Sequence, residues 1–166
     1  MDKRSRERIA ALEIYTDGSL KNMGQRSTFG GWAFCAVRDG EIIHFESGCE
    51  PMTTNQRMEM VAVIEALKYA QSIRKNSEKV IIYSDSAYIV NCYLQEWYIK
   101  WEQNGWLNSE KKTVSNKELW MQIVPYFDHF WYEFRKIEGH AGHYYNEVAD
   151  NLAQKEAEEL KIKWRG

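Results

Sequence analysis

The chain has 166 residues, of which 44% are hydrophobic and 28% charged, and this composition is typical of one globular domain with its own core. No apolar run approaches the length of a membrane span, and the three cysteines, an odd number without C-x-x-C spacing, are typical of reduced thiols in a cytoplasmic protein. The net charge of −2 excludes a global positive field, so any binding of nucleic acid must depend on local patches or bound cations.

The first third of the chain predicts antiparallel strands. Residues 12–17 (LEIYTD) alternate in polarity and are rich in β-formers, which predicts a first strand. A polar loop is expected at about 18–28. Residues 28–48 then predict a hairpin, because Asp39-Gly40 is the strongest two-residue turn signal in the chain.

The rest of the chain predicts helices separated by two more strands. The clearest helix covers residues 53–71, where Thr53 or Thr54 can cap the start and no Gly or Pro interrupts the pattern. The short β-branched run VIIYS at 80–84 predicts a buried, parallel strand. The remaining expected segments are a helical stretch at 86–103, a polar loop at 104–116, a helix at 116–127, a strand at 130–137, a glycine-bearing loop at 139–145 and a last helix at 146–161.

This order of elements predicts an α/β fold of mixed type. Three strands come first and pair as an antiparallel meander, and two further strands follow through helical crossovers. We therefore expect a five-stranded mixed sheet, with three antiparallel strands and then two parallel ones, and helices on both of its faces. Residues 1–11 are expected to form a charged arm, and residues 12–166 a single domain.

Glu59 occupies an unusual place on its predicted helix. On a helical wheel, Ala62, Val63, Ala66 and Ala70 fall within about 60° of Glu59, so its carboxylate lies in the apolar stripe. Burying an unpaired carboxylate is costly, and the side chain then needs a compensating partner. One interpretation is a core glutamate satisfied by a neighbouring donor, and the other is a functional acid.

Three further acids stand at positions where a site can form. Asp17 and Asp85 each follow a predicted strand, and ligand sites collect at the carboxyl ends of strands in α/β sheets. Each also has a plain structural alternative, since Asp17 suits a turn and Asp85 suits a helix cap. Asp150 lies at the edge of the apolar stripe of the last helix, where a solvated acid is the alternative.

Taken together, these four acids predict a metal centre. Carboxylates packed close together raise each other's pKa, and a divalent cation compensates their charge. Mg²⁺ prefers oxygen ligands from a few carboxylates together with substrate phosphate. Two such ions about 4 Å apart activate a water and stabilise the leaving oxygen of a phosphodiester. The pattern therefore favours metal-assisted phosphoryl chemistry.

Four short strings resemble the ribonuclease H family, type 1. They are TDGS (16–19), TTNQRME (53–59), SDS (84–86) and GHAGH (139–143), the last with Asp150 ten residues after His140. They occur in the family's order and with similar spacing, and the resemblance runs from about residue 12 to 160. It implies a ribonuclease H-like fold for the catalytic domain.

The resemblance also implies an activity and its cofactor. The family cuts the RNA strand of RNA–DNA hybrids with two Mg²⁺ ions, for which Mn²⁺ can substitute, and leaves 5′-phosphate and 3′-hydroxyl ends. Asp17, Glu59, Asp85 and Asp150 would be the metal ligands. His140 would assist proton movement or product departure. We expect a cytoplasmic monomer that binds no membrane and needs no protein partner.

The resemblance implies two binding surfaces for the hybrid. Gly18, Asn55 and Gln56 would approach the RNA strand, where a reader of the 2′-hydroxyl distinguishes RNA from DNA. Thr54 and Asn116 would hold a phosphate of the DNA strand. Trp97 and Trp101, with nearby lysines, would belong to a basic handle at about 97–116. A helix cap for Asn55 and a core role for the tryptophans are the alternatives.

Other functions use similar residues. A hybrid-binding protein that does not cut would keep the fold, but it would gain nothing from a costly cluster of acids. A transposase or resolvase core would share the broad fold, but the TTNQRME helix and the GHAGH loop disfavour it. A ribonuclease H domain cut from a reverse transcriptase is a further alternative.

Overall fold

In the computed structural model, the described residues are 11–22, 24, 27–137 and 143–165. The strands are β1 (Ala11–Asn22), β2 (Thr28–Arg38), β3 (Glu41–Pro51), β4 (Lys79–Ser84) and β5 (Tyr132–Lys136). The helices are α1 (Asn55–Ile73), α2 (Ala87–Gln95), α3 (Trp97–Asn104), α4 (Lys117–Ile123), which continues into a 3₁₀ turn (Val124–Tyr126), and α5 (Tyr144–Arg165). The predicted arm at 1–11 falls outside the described residues except for its last residue.

The strands form one mixed sheet in the order β3-β2-β1-β4-β5. The pairs β1–β2 and β2–β3 are antiparallel, whereas β1–β4 and β4–β5 are parallel. The predicted sheet is therefore confirmed, and β1 lies at its centre beside β4. This pairing of the first and fourth strands determines where the site can form.

The hairpin between β2 and β3 turns at the predicted dipeptide. Asp39 has φ 53° and Gly40 has φ 77°, and a two-residue turn of this kind requires positive φ at both positions. The register shifts by one residue between Ala36 and Val37, which is a β-bulge.

Alternation along the central strand directs side chains to two separate apolar layers. Leu12 and Ile14 pack in the layer that contains α1, while Tyr15 packs in a second layer with Ala149 of α5. Successive residues of a strand point to opposite faces, so α1 and α5 cover opposite faces of the sheet. The prediction of helices on both faces is confirmed.

The predicted loop at 18–28 is wrong for its first part. Residues 18–22 continue β1, because Gly18 pairs with Trp32 and Asn22 pairs with Thr28 across the antiparallel ladder. The local sequence GSLKN is polar and carries no strand signal of its own. Pairing with β2 supplies the backbone hydrogen bonds that extend the strand.

The predicted helical stretch at 86–103 is two helices. Glu96 has φ 58° and ends α2 before α3 begins at Trp97. After this break Tyr98 is buried, and its hydroxyl donates to Asp128 Oδ1 at 2.9 Å. Among the described residues, no helix is both long and apolar enough to span a bilayer.

Candidate metal centre

Asp17 and Asp85 come close together because β1 and β4 are neighbouring parallel strands inside the sheet. The last pair in this ladder is Tyr15 with Tyr83, and each aspartate lies two residues further along. Asp17 does not end its strand as predicted, since it remains paired with Ala33 of β2. It lies where β4 stops, and this leaves one side of β1 open to a site.

Glu59 reaches the same place from α1. Its side chain is only 6% exposed, as the helical wheel predicted. Gly18 permits this approach, because a methyl group at that position would lie 2.6 Å from the backbone nitrogen of Glu59. The structural requirement for Gly18 is thus close packing between β1 and the start of α1.

The three carboxylates of Asp17, Glu59 and Asp85 form a cluster. One oxygen of each lies within 4.8 Å of the others, with Asp17 and Glu59 buried and Asp85 exposed. Asp150 on α5 lies beside Asp17 but outside this set of three, and its Oδ2 accepts a hydrogen bond from Gln154 Nε2 at 2.9 Å. His140 lies outside the described residues.

Burial makes ionisation of the cluster unfavourable. Burial and the neighbouring Asp150 raise the pKa of Asp17 to about 7, although the Gly18 N–H donates to Asp17 Oδ1 at 2.9 Å and opposes this. Burial, followed by the charges of Asp17 and Asp85, raises the pKa of Glu59 well above its ordinary value. A bound cation would reverse both effects.

The donor set fits a hard divalent cation. Glu59 Oε2 is buried and has no hydrogen-bond partner among the described residues, which leaves a strong acceptor unsatisfied. The cluster offers only carboxylate oxygens, the ligands that Mg²⁺ prefers. The residues therefore fit a divalent metal ion, which Glu59 Oε2 would help to hold.

The start of α1 presents the residues expected to contact the RNA strand. Thr54 caps the helix, since its hydroxyl accepts from the Arg57 N–H at 3.1 Å. The alternative of Asn55 as the cap is therefore wrong. Asn55 is exposed one turn before Glu59, and Gln56 Nε2 is buried without a hydrogen-bond partner among the described residues.

The tryptophans of the expected handle pack against the core and also keep exposed surface. Trp97 and Trp101 are partly buried against the core, with ring centroids 6.3 Å apart. Their remaining surface lines a groove together with Lys100. Trp106 extends the same row, 5.9 Å from Trp101.

Asn116 lies in a second groove near the start of α4. Its φ of 59° places it in the left-handed region, which asparagine tolerates. Arg57 and Lys117 line the same groove. Arg57, which was not among the predicted site residues, donates from Nε to Glu50 Oε1 at 2.6 Å.

Comparison with known proteins agrees with this geometry. A family model described as RNase H matches residues 10–158. The Ribonuclease H of Syntrophomonas wolfei is 41% identical over 142 residues, which cover 85% of this chain and 92% of that protein.

Two solved structures have the same fold. One is LC9-RNase H1, described as a type 1 RNase H with the type 2 active-site motif, with a TM-score of 0.73 and 30% identity over 90% of this chain and 73% of that one. The other is the foamy viral protease-reverse transcriptase in complex with an RNA/DNA hybrid. Its TM-score is 0.79 with 24% identity over 90% of this chain and 20% of that one, a likeness of fold alone. With a family match over most of its length and an acidic cluster at the centre of the sheet, the chain belongs to the ribonuclease H family of endoribonucleases.

Proposed function

We propose that this protein hydrolyses the RNA strand of RNA–DNA hybrids, with Asp17, Glu59, Asp85 and Asp150 holding two Mg²⁺ ions, for which Mn²⁺ can substitute. The observation that carries the proposal is the convergence of the carboxylates of Asp17, Glu59 and Asp85 within 4.8 Å, together with a Glu59 Oε2 that is buried without a hydrogen-bond partner among the described residues. Membership of the ribonuclease H family supports the choice of substrate.

The protein's own groups have distinct roles in the proposed reaction. The buried pair, Asp17 and Glu59, forms a fixed base for the site, and the Gly18 N–H orients Asp17. Asp85 is exposed and would be open to an incoming strand, while Asp150 would join from α5. When bound, divalent ions supply a water of lowered pKa and stabilise the charge that develops on the leaving oxygen.

The products follow from which bond breaks. Attack of water on the phosphorus with departure of the ribose 3′-oxygen leaves 5′-phosphate and 3′-hydroxyl ends. A proton must reach the departing oxygen, and His140 is proposed to carry it or to help the product leave.

Selection of RNA is assigned to the start of α1. Asn55 and Gln56 carry both donors and acceptors, and the 2′-hydroxyl can engage both. The exposure of Asn55 and the unpaired Nε2 of Gln56 support this role. Gly18, in contact with the same turn of helix, completes the surface for the RNA strand.

The DNA strand is assigned to the two grooves. Thr54 and Asn116 would hold a phosphate of that strand, and the positive charge of Lys117 beside Asn116 supports this role, whereas Arg57 in the same groove is paired with Glu50. Trp97 and Trp101 would pack against sugars beside Lys100. The protein is proposed to act as a cytoplasmic monomer, with residues 12–166 as its catalytic domain and 97–116 as the handle.

The test uses a hybrid labelled on either strand, with and without Mg²⁺. We expect Mg²⁺-dependent cutting of the RNA strand only, with 5′-phosphate ends, and loss of cutting in Asp17→Asn. Asp39→Asn is the matched control, because the hairpin turn accepts asparagine at positive φ.

Two results would contradict the proposal. Binding of the hybrid in a gel-shift assay without any cutting would favour a binding protein. Cutting of duplex DNA would favour a transposase-like nuclease.

A further inference from the structure

Three tyrosines pack together close in sequence to three of the acids. The rings of Tyr15 and Tyr83 stack with centroids 4.6 Å apart and planes 7° apart. The ring of Tyr145 lies 5.4 Å from that of Tyr15, at 41°. We call Tyr15, Tyr83 and Tyr145 the tyrosine cluster.

Each tyrosine precedes a different acid on a different element. Tyr15 lies two residues before Asp17 on β1, and Tyr83 lies two residues before Asp85 at the end of β4. Tyr145 lies five residues before Asp150 on α5. The cluster thus connects the three segments that bring these acids to the site.

Two contacts hold Tyr15 of β1 and Tyr83 of β4 together at the end of the parallel ladder. Tyr15 and Tyr83 are the final residue pair of the parallel ladder, and the Thr16 hydroxyl donates to the Tyr83 carbonyl at 2.8 Å. Beyond this rung, no ladder pairs Asp17 with Asp85. The stacked rings and the Thr16 hydrogen bond therefore connect the two strands just before the carboxylates.

The α5 side is fixed by a hydrogen bond and by packing. The Tyr145 hydroxyl donates to the Gly40 carbonyl at 2.7 Å, which attaches the first turn of α5 to the β2–β3 hairpin. Ala149, next to Asp150, is fully buried in the same apolar layer as Tyr15. These contacts fix the depth and the rotation of the helix turn that carries Asp150.

We propose that the tyrosine cluster positions the carboxylates of Asp17, Asp85 and Asp150 relative to one another, so that its rings set the geometry of the metal centre without touching metal or substrate. This inference rests on the proposed function, since it assumes that these acids bind the metal. Aromatic side chains suit such a role, because they bury a large area with only two rotatable bonds.

The experiment compares removal of a ring with its conservative replacement. Tyr83 and Tyr145 are only partly buried, so Tyr83→Ala and Tyr145→Ala avoid the cavity that loss of the buried Tyr15 would leave. Tyr83→Phe retains the ring. The matched control is Tyr126→Ala, a partly buried tyrosine that packs on Tyr132 and donates to Gln71.

The first readout needs no substrate. Calorimetric titration with Mn²⁺ alone should give a dissociation constant about tenfold higher for Tyr83→Ala and Tyr145→Ala, the lower end of the range for groups that orient metal ligands. Tyr83→Phe should have the same Mn²⁺ dissociation constant as the unmodified protein. Tyr126→Ala should lower the melting temperature without changing Mn²⁺ affinity.

The second readout is the split between kcat and KM on a labelled hybrid. The two alanine variants should lose kcat by about tenfold, because misplaced metal ligands weaken the reacting geometry, while KM for the hybrid changes little. Unchanged Mn²⁺ affinity and kcat in both alanine variants would overturn the inference, as would an equal loss in Tyr126→Ala. If the unmodified protein does not cut hybrids at all, the proposed function fails instead.

Discussion

At the scale of single residues, the site is a set of acids that destabilise the protein when no cation is bound. Asp17 and Glu59 are each 6% exposed, and burial raises the pKa of both. The sequence predicted this arrangement for Glu59, because an acid in an apolar helical stripe is conspicuous. The hydrogen bond from Gln154 to Asp150 was not predicted. Polar pairs at i and i+4 are common on exposed helices, so this pair does not stand out in the sequence.

Asp17→Asn should stabilise the metal-free protein. The substitution replaces a crowded, buried carboxylate with a neutral amide of the same shape, so the melting temperature at pH 7.5 should rise by about 2–4 °C, as for a gain of about 1 kcal/mol. The same variant should lose most of the stabilisation that Mg²⁺ gives the unmodified protein. Thermal unfolding with a chelator and with Mg²⁺ measures both, and a lower melting temperature in the chelator would contradict the account.

At the scale of elements, the turn and the order of strands and helices were predictable, whereas the exact ends of some elements were not. The hairpin at Asp39-Gly40 follows from a local turn preference. The extension of β1 through Asn22 comes from pairing with β2, and the local sequence does not encode it. The break at Glu96 carries neither Gly nor Pro, so nothing in the sequence signalled it.

Gly18→Ala should separate α1 from β1. The added methyl would meet backbone atoms of Met58 and Glu59 at 2.6–2.8 Å, and backbone cannot rotate away as a side chain can. We expect a loss of about 1–3 kcal/mol in the free energy of unfolding, typical of overpacking. Urea denaturation of Gly18→Ala beside Ser19→Ala measures this, and equal stability of the two variants would show that the contact is easily relieved.

An ion pair joins the end of β2 to the segment before β4. Arg38 Nε and Nη2 donate to the two carboxylate oxygens of Glu78 at 2.9 and 2.7 Å, and the Lys75 N–H donates as well. Burial opposes ionisation of Glu78, but Arg38 and this N–H outweigh it and hold its pKa below the ordinary value. The charged form is therefore favoured in the folded state.

The sign of the pH dependence follows from this lowered pKa. The pair contributes stability above the unfolded glutamate pKa of about 4.3, and this contribution disappears as the pH falls through the lower folded value. Glu78→Gln should cost about 1–3 kcal/mol at pH 7 and progressively less below pH 4. Urea denaturation across this range, with the exposed Glu110→Gln as control, measures the difference, and a cost independent of pH would refute the assignment.

At the scale of the whole molecule, topology brings distant residues to one place. The parallel pairing of β1 with β4, with α1 and α5 on opposite faces, brings carboxylate oxygens of Asp17, Glu59 and Asp85 within 4.8 Å of one another and Asp150 beside Asp17. Element types and order were predictable from the sequence, and so were the acids. The tyrosine cluster was not, because its residues meet only through the register of the sheet and the docking of α5.

Because the net charge is close to zero, we expect binding of the hybrid to depend on a few positively charged side chains. Lys100→Ala, beside Trp97 and Trp101, should weaken binding similarly for all hybrid sequences and reduce the slope of log affinity against log salt by about one. Titration of a fluorescent hybrid at several salt concentrations, in Ca²⁺ to prevent cutting, measures this. Lys155→Ala on α5 is the control, and an equal effect there would mean that the groove has no special role.

We propose that acids from separate parts of the chain converge to hold divalent cations. The most direct measurement is a crystal structure of the protein with Mn²⁺, in which anomalous scattering locates the ions. We expect Mn²⁺ in contact with carboxylate oxygens of Asp17, Glu59 and Asp85, with Glu59 Oε2 among the ligands. Mn²⁺ bound elsewhere, or a Glu59 side chain turned away from Asp17, would contradict it.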